Sequence, residues 1–427
     1  MNLQTRQSPG MYRLIILHYL ISGICFVVLA LLLLLLSGNF PGHYFAPGTL
    51  AITHLAALGW GTLIIFGACY QLLPVLLECD LYSYKLPWVI FALFLPGLFC
   101  LVYSFWVFDP GIHMQAGGLL LSLAILVFCI LVFKTAASSK IVSAHKDFIL
   151  TSCIWLAATA VLGTLMVFNF QYAFLPKDHL HFLRLHAHMG IAGWFLMLII
   201  GVSAKLIPMF LVSRSQPIGL LSWCFYLINI SLLLFIADGY FNGLNLKTHL
   251  MILMMFCGLA FYFVYIRKCF QSRLKKKLDL PILKTVLSIG FLSLSVLLLP
   301  AIVQFAVEKN AWSVKLSSLY GMLIFMGWIT ALIMGQTFKT LPFIVWVKKY
   351  EHLSGKAKIP MPADLYHEKL LKLQYVAYLA FCLSFFAGFL LANNMLMVIG
   401  ALSIVTASLA YLGNVIILIT HKTKTAI

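Results

Sequence analysis

Histidines are the residues best equipped for chemistry in this chain of 427 residues, which holds 13 of them beside only 11 carboxylates. Eight gather near one end of successive apolar runs: His43, His54, His113, His179, His181, His186, His188 and His249. Neutral imidazole is a common ligand for metals and for haem iron. Inside an apolar run it is costly unless partnered, so such a residue points to function. His54 and His188 each lie six residues before a tryptophan in closely similar tracts, and His186 completes an H-x-H. These three are the expected metal or haem ligands. His179 and His181, beside Lys177 and Asp178, read as a solvated loop rather than a copper site. His18, His145, His352, His367 and His421 carry no assigned role.

The elements that position these histidines are membrane helices. Of all residues, 63% are hydrophobic and 9% charged, whereas soluble chains run at about a quarter charged. A helix crosses a bilayer in ~20 apolar residues. The apolar runs place twelve spans near 14–36, 50–73, 87–107, 114–133, 148–170, 185–208, 219–237, 248–266, 282–306, 317–340, 373–392 and 396–420. The fold class is an all-α polytopic membrane protein, with residues 1–427 forming a single membrane domain. A soluble enzyme, a nucleic-acid binder and a secreted disulfide scaffold are excluded.

The net charge of +18 belongs to the loops. On alternate sides of the twelve spans, 24 Lys and Arg fall on the side holding both termini and 5 on the other. The richest loops are Arg267 to Lys284 and Lys339 to Lys372. The positive-inside rule puts both termini in the cytoplasm, in what is expected to be a bacterial inner membrane, with anionic lipid as a partner of the basic face. None of the ten cysteines falls in an outer loop and no C-x-x-C occurs, so neither disulfides nor a thiolate metal site is expected. The first apolar run is too long for a signal-peptide core. No Asp or Glu falls in the middle of a span, which argues against a proton pump.

A repeat sets the architecture. Leu55–Pro74, Met189–Pro208 and Leu323–Pro342 align without gaps on G-W-x6-G-x6-P, 134 residues apart. The matched positions are Gly59, Trp60, Gly67 and Pro74; Gly193, Trp194, Gly201 and Pro208; and Gly327, Trp328, Gly335 and Pro342. The period holds four spans, an even number, so the copies run parallel about an axis along the membrane normal. The repeats cover approximately 14–133, 148–266 and 282–420. Glycines eight apart share a helix face and admit a helix or a flat ligand, which makes Gly59, Gly67, Gly193 and Gly201 candidate cofactor contacts. The proline is expected to end each span. Lys205 and Lys339, three residues before it, are expected to snorkel to the interface.

The stretch His186 to Phe210, HAHMGIAGWFLMLIIGVSAKLIPMF, resembles the tenth helix of haem-copper oxidase subunit I. The likeness is closest in the cytochrome-oxidising and nitric-oxide-reducing branches. The resemblance implies twelve spans in three four-helix arcs about a pseudo-threefold axis, a haem b cofactor, and histidines of H-x-H serving different haems. It departs from that family in three ways. H-x-H lies on the sixth span, the tenth has no histidine, and the copper-ligand histidines have no counterpart, so copper is not expected. The chain is therefore similar to divergent, NnrS-type haem membrane proteins.

Under that symmetry His54 and His188 point the same way around the axis. Residues two apart on a helix differ by ~200°, so His186 points away from His188. The expected axial pair is His54 with His186. His188 is left near Tyr320, a candidate partner in a second pocket. The leading reading is a haem protein carrying electrons, from a cytochrome or quinol donor, or binding a diatomic gas (nitric oxide or oxygen) near the outer face. Two others stay open: an oxidoreductase of the terminal oxidase or nitric oxide reductase kind with an atypical metal site, and a transporter or assembly factor without permanent haem.

Overall fold

The computed structural model describes residues 9–38, 40, 42–214, 216–274, 276–356 and 358–423. Among the described residues twelve helices are long and apolar enough to cross a membrane: Gly10–Ser37, Pro47–Leu77, Leu86–Val107, Ile112–Ser138, Ala144–Tyr172, His179–Leu211, Gly219–Asn242, Lys247–Gln271, Leu280–Val307, Trp312–Leu353, Glu368–Leu391 and Asn394–Ile419. Each matches one expected span, so hydropathy alone located all twelve. The ends differ. The tenth runs on to Leu353, well beyond its apolar stretch, and the sixth begins at His179. His179 and His181 are therefore helical, a correction to the loop reading. Asp178 causes this: its carboxylate accepts from the His181 amide at 2.8 Å and caps the helix.

By packing, the chain divides into two compact units. The first comprises Cys69–Lys277 and Leu298–Leu316, and the second Pro9–Ala68, Leu278–Leu297 and Ser317–Ile427, with Met1–Ser8 outside the described residues. The second, ninth and tenth spans each contribute to both.

The motif helices share a feature that hydropathy does not signal. Leu55–Thr62, Met189–Leu196 and Leu323–Ile329 are π-helical, and their first residues are 134 apart. π-helical turns are rare and concentrate at functional sites. Here they also solve a packing problem. The two motif glycines lie against the span preceding them in each copy. Added methyls at Gly59 and Gly67 would collide with Cys25 and His18. At Gly193 and Gly201 they would meet Trp155 and Phe148, and at Gly327 and Gly335 they would meet Phe291 and Lys284. Each neighbour pair is seven residues apart, whereas the glycines are eight apart. The motif helix thus uses one more residue over the same length, and a π segment absorbs one extra residue. It is a helix that takes up the space over these glycines, rather than a flat ligand.

The motif tryptophans Trp60, Trp194 and Trp328 are among the largest fully buried side chains. Trp60 stacks on Phe26 at 4.3 Å, meets Tyr411 edge-on at 5.0 Å, and donates Nε1–H to Thr330 Oγ1 at 3.1 Å. Thr330 in turn donates to Phe325 O, five residues back, at 2.7 Å, and Tyr378 donates to the Met326 and Gly327 carbonyls at 2.8 Å. Side chains thereby engage carbonyls of the third π segment.

The prolines do not end the spans. Pro74, Pro208 and Pro342 lie inside helices that continue to Leu77, Leu211 and Tyr350. A proline removes the bond to the carbonyl four residues earlier, and in a membrane a neighbouring group must replace it. For Pro208 that carbonyl is Ala204 O, and Tyr265 donates its hydroxyl to it at 2.6 Å.

Candidate functional site

His54 closes the α-helical turn Pro47–His54, and the first π segment begins at the next residue. Its Nδ1 donates to Leu50 O, four residues back, at 2.8 Å. His188 stands in the same relation to the second π segment, with Nδ1 donating to Arg184 O at 2.8 Å. A carbonyl only accepts, so Nδ1 carries the proton in both rings and the lone pair lies on Nε2. Metal-ligating histidines are held this way, with one ring nitrogen given to a carbonyl or carboxylate that fixes the ring. The same bond also satisfies a structural histidine, so geometry alone licenses a ligand role without requiring one.

His186 is oriented differently. Its Nδ1 donates to Thr159 O of the fifth span at 3.0 Å. Its ring covers Gly163, where a methyl would lie 2.8 Å from Cε1. The ring of His188 instead packs against Phe235 of the seventh span, 4.9 Å between centroids. One helix thus sends its two imidazoles towards different neighbours, as their spacing requires. His54, His186 and His188 are all half-buried rather than sealed. His54 and Tyr320 belong to the second unit, His186 and His188 to the first. Tyr320 is buried in the tenth span at the position where the second copy has His186.

Three other histidines are in structural use. His179 stacks on Phe170 at 4.2 Å, with Nε2 3.3 Å from Met166 O. His145 Nδ1 donates to Gly201 O at 3.2 Å, beside the Phe148 contact of that glycine. His18 is fully buried, gives Nδ1–H to Leu14 O at 2.8 Å, and fills the space over Gly67. Among the described residues no group of three or more His, Cys, Asp or Glu side chains could hold a metal ion. A haem asks less, since one or two imidazoles suffice.

Two lysines depart from the sequence reading. Lys205 is exposed, but Lys339 pairs with Asp279. Lys284 does not close a loop. The ninth span starts at Leu280, and Lys284 sits inside it with no exposed surface. Its signal in the sequence was Pro281, a residue suited to the first helical turn, which places the helix start before the lysine rather than after it.

No protein-family model matches this chain, and no curated protein is significantly similar to it.

Proposed function

We propose that the chain is an integral-membrane haem b protein with the three parallel four-helix repeats of oxidase subunit I, carrying electrons or binding a diatomic gas. One observation carries the reading. Two histidines 134 residues apart each stand directly before a π segment and give Nδ1–H to the carbonyl four residues back. The donor set suits haem iron, since the lone pair of each imidazole lies on Nε2. Haem b, when bound, would supply a one-electron couple, and a coordination position for a gas where only one imidazole holds the iron.

In this proposal His54 and His186 would hold the haem iron. Thr159 O positions His186, and Leu50 O positions His54. His188, turned towards the seventh span, would be left to serve a second haem. The proposed electron donor is a cytochrome or a quinol. The membrane is the bacterial inner membrane, with both termini cytoplasmic.

Absorption spectra of the purified protein, oxidised and then reduced, test the assignment. The expected result is a Soret band with sharp reduced bands, lost in His54→Ala and His186→Ala and retained in His188→Ala. Each variant's melting temperature accompanies its spectrum, so that misfolding is told apart from ligand loss. Loss of low-spin haem in His188→Ala with retention in His186→Ala would overturn the pairing. A well-folded wild type without a Soret band would replace the proposal with the transporter or assembly reading.

A further inference from the structure

Lys284 carries a charge that the fold, among the described residues, leaves unexplained. Its side chain has no exposed surface, and its Nζ makes no hydrogen bond or ion pair among the described residues. The ring of Phe338 lies 6.0 Å from Nζ. Close packing holds the base of the side chain. Gly335 on the tenth span has no side chain, and a methyl there would lie 3.1 Å from Lys284 Cβ and 2.6 Å from Pro281 O. Next to it Gln336 donates Nε2–H to Thr285 Oγ1 at 2.7 Å, while its Oε1 is buried and unmatched.

An ammonium in such a place needs a counter-charge, because unpaired burial costs several kcal/mol. The unit to which Lys284 belongs has four carboxylates: Asp279, Glu351, Asp364 and Glu368. Asp279 caps the ninth helix through the Ile282 amide and pairs with Lys339. Glu368 pairs with Lys372 at 2.7 Å, Asp364 accepts from the Met361 amide at 2.9 Å, and Glu351 is exposed. The remaining titratable groups nearby are Tyr366 and Tyr411, which pack on Phe338 at 5.5 and 5.7 Å. Tyr411 is hydrogen-bonded to Thr337. Among the described residues of this unit no anionic side chain is left for Lys284.

We propose that Lys284 binds a small monovalent anion of the halide class, entering from the end at which the ninth span starts. The chain's own excess of +18 favours an anion at that end, since most basic loops lie there. The anion would tie the ninth span to the tenth beside the third motif glycine. This inference is independent of haem, and its test reads none.

The experiment is a chloride titration of the purified full-length protein against gluconate at constant ionic strength, read as apparent melting temperature. The expected result is a saturable rise with chloride, as ligand linkage requires. Lys284→Met should abolish the rise, and should melt at or above the wild type in gluconate, since it removes an unpaired charge. Chloride independence of the wild type, or an equal response in Lys284→Met, would overturn the proposal. A wild-type response to pH with none to chloride would also overturn it, because the site would then shed its proton instead of taking an anion. If Lys284→Met does not fold, anomalous scattering from bromide-soaked wild-type crystals decides. A peak within hydrogen-bonding distance of Lys284 Nζ supports the site, and no peak refutes it.

Discussion

The second and sixth spans, compared with the tenth, separate what the repeat is for from what it carries. All three hold a buried tryptophan, a π segment at one register, and two glycines facing side chains seven residues apart. Only the second and sixth place a histidine directly before the π segment. The tenth has Met322 there, with Tyr320 two residues earlier. The packing features therefore persist where the imidazole is missing, so the imidazole is not what the scaffold requires. A residue type dispensable to the shared packing but retained at two of three equivalent positions is a candidate for chemistry.

The tryptophans give the strongest test. Replacing Trp60, Trp194 or Trp328 by alanine should cost about 3–5 kcal/mol each, seen in denaturant unfolding of the purified protein. If Trp328→Ala proved harmless while the other two were severe, the tenth span would not share the scaffold and the comparison would fail. Valine at Gly67, Gly201 or Gly335 should cost about 1–3 kcal/mol through overpacking, with the rigid backbone carbonyl of Pro281 making Gly335→Val the worst. Tyr265→Phe leaves the carbonyl freed by Pro208 without its hydroxyl, at about 1–3 kcal/mol. Tyr378→Phe should act likewise on the third π segment.

Smaller effects sharpen the other side of the comparison. His54→Ala and His188→Ala should each lower stability by only about 1 kcal/mol, and Met322→His should fold with a similar melting profile. A collapse of the fold on losing His54 would make that residue structural and remove the argument for chemistry. The smallest effect concerns the loop that follows the first motif helix. Burial raises the Cys79 thiol above its ordinary range, with Asp80 adding to this and Lys146 opposing it. At pH 8 less thiolate is present than in a free cysteine, so alkylation should be slow and accelerate as pH rises. In sealed vesicles an impermeant maleimide should reach Cys79 only from the face proposed above to be cytoplasmic.

Hydropathy made the twelve spans legible because each span needs an unbroken apolar run, and the G-W-x6-G-x6-P period exposed the motif helices. The π segments were not legible, since one extra residue in a wholly apolar helix leaves no change in composition. What the sequence did hold was the mismatch between glycines eight apart and the usual seven-residue repeat of packed helices. His179 and His181 misled because a polar stretch looks like loop unless Asp178 is recognised as a cap. Lys284 was missed because a charge four residues into an apolar run reads as its border. The three histidines were singled out by depth and repeat position, but no sequence pattern told which carbonyl would hold each ring.

The extra residue in each motif helix also has a rotational meaning. One residue corresponds to about 100° of α-helical turn, so the bulge offsets the angular setting of everything on one side of it against the other. The tryptophan and first glycine are anchored in the later half of the π segment and the second glycine beyond it, while ahead of it stands His54 or His188. Each motif helix is thus an indexing joint. Deleting a single residue between Leu55 and Trp60 would swing His54 by about 100° towards another neighbour while leaving the Trp60 and Gly67 contacts in place. A fold built this way can re-aim a side chain at one position by a single insertion or deletion, without rebuilding the bundle that carries it.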